Sequence, residues 1–264
     1  MTDLSVTIIQ SDLYWENIDA NLSMFEEKIW QIEGKQHLIL LPEMFTTGFT
    51  MNPSPFAEIP NGKTHRWMAQ MAAQTGAVVI GSYIVNDRGH FYNRLLAMKP
   101  DGSHQQYDKR HLFSLMGEEK EYSPGKSRTL IAVNGWKILP LICYDLRFPV
   151  WSRSRKSPES AYEYDVVLYV ANWPKQRIKS WDALLKARAI ENNCFSIGTN
   201  RTGVDGFDAV YTGHSGAYTY LGETLSYSEE EEILSFTLSA NALNKFRSRF
   251  PFQKDSDDFT IDPD

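Results

Sequence analysis

The sequence is poor in cysteine and has no long apolar run. Only two cysteines, Cys143 and Cys194, occur in 264 residues, and a chain of this length can bury a stable core without a disulfide. We therefore expect both thiols to be free. No apolar stretch approaches the roughly 18 residues that a membrane-spanning helix needs, and "MTDLSVTIIQSDLYWEN" at the N-terminus lacks the pattern of a secretory signal. We expect a soluble, cytoplasmic protein without a membrane partner.

Clustered basic charge and metal-ligand spacings are also missing. The net charge is -6 and the lysines and arginines form no long run, which argues against a nucleic-acid partner, because such proteins carry a clustered basic face. No pair of histidines or cysteines stands at a spacing such as CxxC or HxxxH, so the sequence predicts no metal site.

Hydrophobic periodicity predicts strands and helices in alternation along the whole chain. The stretch "LSVTIIQS" alternates as a strand does, "NIDANLSMFEEKIWQIEG" has apolar residues at helical spacing up to Gly34, and "KQHLILLPEM" is an apolar run. A second helix and strand follow, and "FYNRLLAMKPDG" then completes a hairpin. No composition break indicates a linker, so we expect one α/β domain over residues 1–264 with a mixed sheet.

Reactive or polar residues follow three predicted strands. Glu43 comes after "LILL", Cys143 after "ILPLI", and Asn172 and Trp173 after "VVLYVA". Ligand sites in open α/β sheets form beyond the carboxyl ends of strands. A cysteine between a strand and a polar turn fits a nucleophile elbow, although free cysteines are often core residues. Since His111 is the histidine nearest in sequence to Cys143, a cysteine–histidine hydrolase is a first interpretation.

Three ordered motifs resemble those of the carbon-nitrogen hydrolase (nitrilase) superfamily. They are "LLPEMFTTGF" at 40–49, "YDKRHLF" at 107–113 and "ICYDLRFP" at 142–149. The segments "ANWP", "ARAIENN" and "TNRTGVDG" support the resemblance, and "RFPFQKDSDDF" is similar to the C-terminal end of the bacterial omega-amidase branch. The resemblance implies a four-layer α-β-β-α sandwich of two mixed sheets, with a C-terminal extension at about 240–264.

The resemblance also implies the catalytic residues. Cys143 becomes the nucleophile, Glu43 the general base and acid, and Lys109 the cation that faces the tetrahedral intermediate. These residue types suit amide hydrolysis, which needs a nucleophile, a proton for the departing ammonia and donors for the oxyanion. The backbone N–H of Tyr144 is a second candidate oxyanion donor. Such a cycle requires no cofactor.

The family pattern includes a second glutamate after the lysine motif. Glu118, Glu119 and Glu121 are all available in "HLFSLMGEEKEYSPG", and the spacing to the flanking residues favours Glu118. His111 then becomes a structural residue, because the family does not use a histidine base.

The implied activity is that of an omega-amidase, which hydrolyses the terminal amide of a small 2-oxo dicarboxylic acid monoamide such as 2-oxoglutaramate through a cysteine thioester. A substrate carboxylate needs a fixed cation, and Arg147 and Arg201 are the candidates. Trp173 is a candidate wall of the substrate pocket. The alternatives are another amidase or carbamoylase of the same superfamily, and a non-catalytic binding module on the same fold.

The C-terminal stretch "KFRSRFPF" is rich in aromatic residues. Phe246, Phe250 and Phe252 are costly to expose to water. Together with the resemblance, they predict a homodimer, and the alternative is that this segment folds back over its own subunit.

Overall fold

The computed structural model describes residues 1–156 and 160–261 and has strands and helices in alternation. The strands are β1 (Leu4–Gln10), β2 (Leu38–Leu40), β3 (Val78–Asp87), β4 (His90–Met98), β5 (His104–Asp108), β6 (Ile131–Val133), β7 (Trp136–Ile142), β8 (Val166–Val170), β9 (Phe195–Thr199), β10 (Thr202–Val204), β11 (Val210–Thr212), β12 (Ser215–Tyr218), β13 (Thr224–Ser228) and β14 (Glu232–Leu238). The α-helices are α1 (Ile18–Ile29), α2 (Lys63–Thr75), α3 (Glu118–Glu121), α4 (Pro149–Ser152), α5 (Ile178–Asn192) and α6 (Ala240–Arg249).

Two six-stranded sheets and a two-stranded ribbon contain these strands. The first sheet has the order β14-β1-β2-β3-β4-β5, the second has the order β13-β12-β9-β8-β7-β6, and β10 pairs with β11. The central strands of each sheet are parallel: β1, β2 and β3 in the first, and β7, β8 and β9 in the second. The outer strands pair antiparallel. The mixed-sheet prediction is therefore confirmed.

The two sheets pack face to face between outer helices. One core cluster joins apolar residues of both sheets, such as Val6 and Ile8 in the first and Ile138 and Leu139 in the second. A second cluster packs helices α1 and α2 against the opposite face of the first sheet. Helix α5 covers the second sheet, with Trp181 and Leu185 in its core. The four-layer α-β-β-α sandwich implied by the resemblance is confirmed.

Helix α5 lies very close to the strand that it covers. A Cβ atom placed on Gly198 in β9 would lie 2.5 Å from both Leu185 Cδ1 and Trp181 Cζ2. Only a residue without a side chain allows this approach. The contact holds the N-terminal half of α5 directly against β9, the strand that pairs with β8.

Some element boundaries differ from the sequence-based prediction. Helix α1 ends at Ile29 rather than near Gly34. Helix α2 ends at Thr75 and is capped by Gly76, whose φ of 70° suits a helix C-terminus. Helix α6 was not predicted as a separate element. It lies in the predicted C-terminal extension, of which residues 262–264 are outside the described part of the chain. The assignment of this extension to a single domain stays a prediction.

The carboxyl ends of β2, β7 and β8 bring the predicted site residues to one end of the sandwich. Glu43 follows β2 after a short turn, Cys143 follows β7 directly, and Asn172 follows β8. Because the two sheets face each other, residues from the first sheet can contact residues from the second. Within the described residues, no helix is both long and apolar enough to cross a lipid bilayer.

Candidate active site

A buried cluster of three charged side chains forms the centre of the site. The Lys109 ammonium donates to Glu43 Oε1 at 2.9 Å and to both oxygens of Glu118, at 3.0 and 2.9 Å. The side chain of Lys109 is 1% exposed and both carboxylates are 0% exposed. Each charge therefore has a close partner in a region from which water is excluded.

Hydrogen bonds from both sheets fix the Glu43 carboxylate. Asn93 Nδ2 in β4 donates to its Oε1 at 2.8 Å, and the backbone N–H of Asn172 after β8 donates to its Oε2 at 2.8 Å. The Asn172 side chain also donates to the Glu43 backbone carbonyl, at 2.5 Å. The turn itself is anchored on β3, since the backbone N–H of Met44 donates to Ser82 Oγ at 2.9 Å. Glu43 is thus held where the two sheets meet, by hydrogen bonds from both of them.

The structure distinguishes Glu118 from its neighbouring glutamates. Glu118 is buried at the start of α3 and also accepts a hydrogen bond of 2.6 Å from the backbone N–H of Phe113. Glu119 and Glu121 are exposed. The candidate that the spacing favoured is therefore the glutamate beside Lys109.

Burial and the neighbouring charges shift the pKa values of this cluster. Burial lowers the pKa of Lys109, but the carboxylates of Glu118 and Glu43 raise it by more, so its net shift is upward. Burial raises the pKa of Glu118, with Lys109 opposing the shift and Glu43 adding to it. Lys109 consequently stays a cation in the site at neutral pH.

Cys143 occupies a strained elbow between β7 and a 3-10 helix, Cys143–Arg147. Its φ is 42°, in the left-handed region that non-glycine residues seldom adopt. Burial raises the pKa of its thiol well above the usual value, and Glu43 raises it further through its charge and a hydrogen bond, while Lys109 opposes the shift. The resting thiol is therefore protonated.

The buried carboxylate of Asp145 braces this elbow. Its Oδ2 accepts from the backbone N–H of Ile142 at 3.0 Å and from the Tyr107 hydroxyl at 2.7 Å, and its Oδ1 contacts His111. Asp145 therefore ties the cysteine motif to the lysine motif.

His111 lies in this brace rather than beside the nucleophile. Its Nδ1 is 2.8 Å from Asp145 Oδ1, and its ring stacks on Phe148 at 3.9 Å between centroids. In the described part of the chain, the Cys143 Sγ has the Asn172 backbone oxygen at 3.8 Å and no histidine as a hydrogen-bond partner. This placement does not support the cysteine–histidine interpretation.

A cavity of about 250 Å³ opens above Cys143, and we name it the Cys143 cavity. It is smaller than the roughly 300–1,000 Å³ typical of drug-sized ligands, so it suits a short molecule. Its lining is largely aromatic and cationic: Phe49, Lys109, Phe113, Met116, Cys143, Tyr144, Arg147, Asn172, Trp173, Pro174, Gln176, Arg177, Asp205, Phe207, Ala209 and Tyr211.

Three of the four predicted substrate-binding residues line this cavity: Tyr144, Arg147 and Trp173. The Arg147 guanidinium stacks over the Trp173 ring at 4.9 Å and donates to Ser180 Oγ at 3.0 Å. Both of these partners are neutral, so the positive charge of Arg147 is available to a ligand.

Arg201 lies outside the lining of the Cys143 cavity. Its guanidinium is fully buried, pairs with Asp12 at 2.7 Å and lies 4.7 Å from the centre of the Tyr211 ring. These contacts indicate a structural role for Arg201 next to Tyr211.

Several residues at the site were missed by sequence reasoning. Asn93 lies in the middle of β4, where no local pattern separates it from an ordinary strand residue. Arg177 closely follows the "ANWP" segment, and its nearness to that motif is the sequence feature that could have identified it. Within the described residues, no three or more His, Cys, Asp or Glu side chains are arranged to hold a metal ion.

Comparisons with known proteins identify the family of this chain. The sequence profile of the carbon-nitrogen hydrolase family matches residues 5–247. The omega-amidase YafV of Yersinia enterocolitica is 41% identical over 263 residues, covering 99% of this chain and 100% of that protein. The 2-oxoglutaramate amidase of Bacillus subtilis is 31% identical over 231 residues, covering 86% and 87%.

A solved structure is also very similar. It is a CN-hydrolase superfamily protein from Xanthomonas campestris with an arsenic adduct in its active site, and it superposes with a TM-score of 0.97 at 39% identity, over 99% of this chain and 100% of that one. The family profile, the full-length relatives and the shared fold lead to one conclusion: this chain belongs to the carbon-nitrogen hydrolase family.

Proposed function

We propose that this protein is an omega-amidase that hydrolyses the terminal amide of short 2-oxo dicarboxylic acid monoamides, with 2-oxoglutaramate as the reference substrate. The observation that carries the proposal is the convergence of Glu43, Lys109 and Cys143 at a small cavity that also contains Arg147. The names of the relatives, omega-amidase and 2-oxoglutaramate amidase, support the same substrate class.

The first half of the proposed reaction forms a thioester. Glu43 takes the proton of the Cys143 thiol, and the resulting thiolate attacks the amide carbonyl carbon. The Lys109 ammonium and the Tyr144 backbone N–H stabilise the oxyanion. Glu43 then passes its proton to the amide nitrogen, the C–N bond breaks, and ammonia leaves.

The second half releases the acid. Glu43, again ionised, takes a proton from a water molecule, whose oxygen attacks the thioester carbonyl. Collapse of the tetrahedral intermediate breaks the C–S bond, and the Glu43 proton returns to the cysteine sulfur. The free thiol and the carboxylic acid product are restored without any cofactor.

Glu118 acts in this proposal by positioning Lys109. Both of its oxygens accept hydrogen bonds from the Lys109 ammonium. A further hydrogen bond, from the backbone N–H of Phe113, holds the carboxylate in place. Because Glu43 and Glu118 both face Lys109, they raise its pKa and the ammonium is charged when the reaction begins.

The far end of the substrate meets Arg147 and Trp173 in this proposal. Arg147 is preferred over Arg201 because it lines the Cys143 cavity and has neutral partners, whereas Arg201 is paired with Asp12. The flat Trp173 ring, 3% exposed, forms a rigid wall that limits chain length.

We also propose a homodimer and a cytoplasmic location. Phe246 packs within its own subunit, stacked on Tyr220 at 4.2 Å, but Phe250 and Phe252 are 37% and 58% exposed. Ile190 and Leu221 extend this apolar surface, at 50% and 56% exposure. A second copy of the chain would cover it. Both thiols are free, which suits a reducing compartment.

The Cys143→Ala variant should lose turnover and keep its fold, because it removes the nucleophile and only one small side-chain atom. Ammonia release from 2-oxoglutaramate and a thermal melt followed by circular dichroism measure the two effects. Cys194→Ala is the control, since Cys194 is a 0% exposed core residue. With a slow substrate, intact-mass analysis should find an acyl adduct on Cys143. Full activity in Cys143→Ala, or an adduct on Cys194, would refute the assignment.

The Lys109→Ala variant should lower kcat/KM by about 100 to 1,000 fold or more, the usual effect of removing an oxyanion donor. It also leaves two buried carboxylates without their cation, which costs roughly 3–5 kcal/mol of stability, so activity is measured at a temperature where circular dichroism shows the variant folded. Arg110→Ala, the neighbouring substitution, should lose far less activity. Equal losses at both positions would indicate a folding effect and contradict the role of Lys109.

The enzyme should prefer 2-oxoglutaramate over a neutral amide of matched length, such as pentanamide. A charge-assisted hydrogen bond contributes roughly 1.5–3 kcal/mol, or about 10 to 150 fold in kcat/KM. Arg147→Gln should lower the ratio of the two specificity constants by a similar factor. Equal constants for both substrates in the unmodified enzyme would remove the carboxylate site from the proposal, and faster ammonia release from an N-carbamoyl amine would favour a carbamoylase.

Sedimentation equilibrium at micromolar concentration should give twice the chain mass of 30.3 kDa. Phe252→Ser should shift the mass toward the monomer, because it removes apolar area from the exposed surface. Leu115→Ser is a matched control, since Leu115 is 80% exposed on a different part of the chain. A monomer in the unmodified protein would disprove the dimer.

A further inference from the structure

The Cys143 cavity has an unbalanced charge. Its lining contains three cationic side chains, Lys109, Arg147 and Arg177, and a single carboxylate in the described residues, that of Asp205. Lys109 is already paired with two buried glutamates that lie behind it. Two guanidinium groups are therefore left to face a ligand.

The Asp205 carboxylate does not offset these two charges, because its oxygens are already engaged. Its Oδ1 accepts from the backbone N–H groups of Phe207 and Ala209, at 2.8 and 3.0 Å, and its Oδ2 accepts from the Tyr211 hydroxyl at 2.7 Å. Asp205 thus shapes its own loop and has little capacity left to bind a cationic ligand group.

Arg177 is held by its backbone, while its head group contacts only an aromatic ring among the described residues. Its carbonyl oxygen accepts from Trp173 Nε1 at 2.9 Å and from Ser180 Oγ at 2.7 Å. Its guanidinium carbon lies 4.9 Å from the centre of the Phe113 ring. A stacked guanidinium keeps its in-plane N–H donors free for a ligand.

Ser180 connects the two arginines. Its hydroxyl donates to the Arg177 carbonyl and accepts from Arg147 Nη2 at 3.0 Å. Arg177 also directly precedes the 15-residue helix α5, whose N-terminal end adds positive potential at this side of the cavity. One short segment therefore organises two guanidinium groups and a helix N-terminus around the same part of the cavity.

We propose that Arg177 is a specificity-determining residue that, together with Arg147, binds the carboxylate and ketone oxygens of a 2-oxo acid amide and excludes amides that carry a 2-ammonium group. The inference rests on the proposed omega-amidase function and deepens it. A 2-oxo acid presents three acceptor oxygens and no donor, which matches two guanidinium forks. A 2-amino acid amide places a positive charge where the ketone oxygen would be, close to cations and without a free carboxylate to receive it.

The test compares Arg177→Gln with Lys175→Gln. Both substitutions remove one positive charge from the same 3-10 helix, Lys175–Arg177, but only Arg177 lines the cavity. Specificity constants are measured for 2-oxoglutaramate, L-glutamine and pentanamide. We expect Arg177→Gln to lower the 2-oxoglutaramate to pentanamide ratio by about 10 to 150 fold, mainly through KM, because the lost contact is distant from the reacting amide. Arg177→Gln should also lower the ratio of the specificity constants for 2-oxoglutaramate and L-glutamine. Lys175→Gln should change neither of these two ratios.

The Arg177→Lys variant separates charge from geometry. It keeps the positive charge and should therefore still disfavour L-glutamine, while losing part of the 2-oxoglutaramate activity because an ammonium lacks the planar fork. Three outcomes would overturn the role of Arg177 while leaving the proposed activity standing. They are an equal loss of kcat/KM on all three substrates, no loss of kcat/KM, or an equal effect of Lys175→Gln. Failure of the unmodified enzyme to hydrolyse 2-oxoglutaramate would overturn both.

Discussion

A buried ammonium group, that of Lys109, is the constraint on which the rest of the site depends. An isolated charge in this position would cost several kcal/mol to bury, and the fold offsets this by placing Glu43 and Glu118 around it, at 2.9–3.0 Å. With all three groups ionised, the cluster carries one excess negative charge. Burial and the charge of Glu43 favour a protonated resting thiol on Cys143, and the charge of Lys109 opposes them.

Two rigid sheets keep this arrangement in place. Glu43 belongs to the first sheet and Cys143 to the second, and the hydrogen bonds from Asn172 to the Glu43 side chain and backbone cross between them. Asp145 makes a second connection, from the elbow of Cys143 to Tyr107 at the end of β5. The strained φ of Cys143 is tolerated because these contacts over-determine its position. In the proposed reaction, this fixed placement of Cys143 relative to Glu43 keeps the reacting groups in a productive geometry.

The Cys143 cavity contains two sets of polar groups, those of the proposed reaction and those proposed to bind the substrate. Lys109 and the Cys143 thiol, the groups of the proposed reaction, line it together with Arg147 and Arg177, whose guanidinium groups rest on neutral partners. The proposed substrate, with an amide at one end and an anion at the other, offers a matching group to each set. The rings of Phe113 and Trp173 stack on the two guanidinium groups without neutralising them.

The sequence by itself determined the α/β class and the strand ends that carry Glu43 and Cys143, while the family resemblance of its motifs implied Lys109 and favoured Glu118 among three glutamates. These features are local: they depend on strand periodicity and on residues a few positions apart. Only the tertiary structure decided that Glu118 rather than Glu119 turns inward, that His111 braces Asp145, and that Arg147 rather than Arg201 lines the cavity. Arg201 is paired with Asp12, which is 189 positions away, and Asn93 reaches Glu43 across 50 positions. Such partners become neighbours only when the sheets pair and stack, because local periodicity specifies which face of an element is apolar but not which distant side chain it will meet.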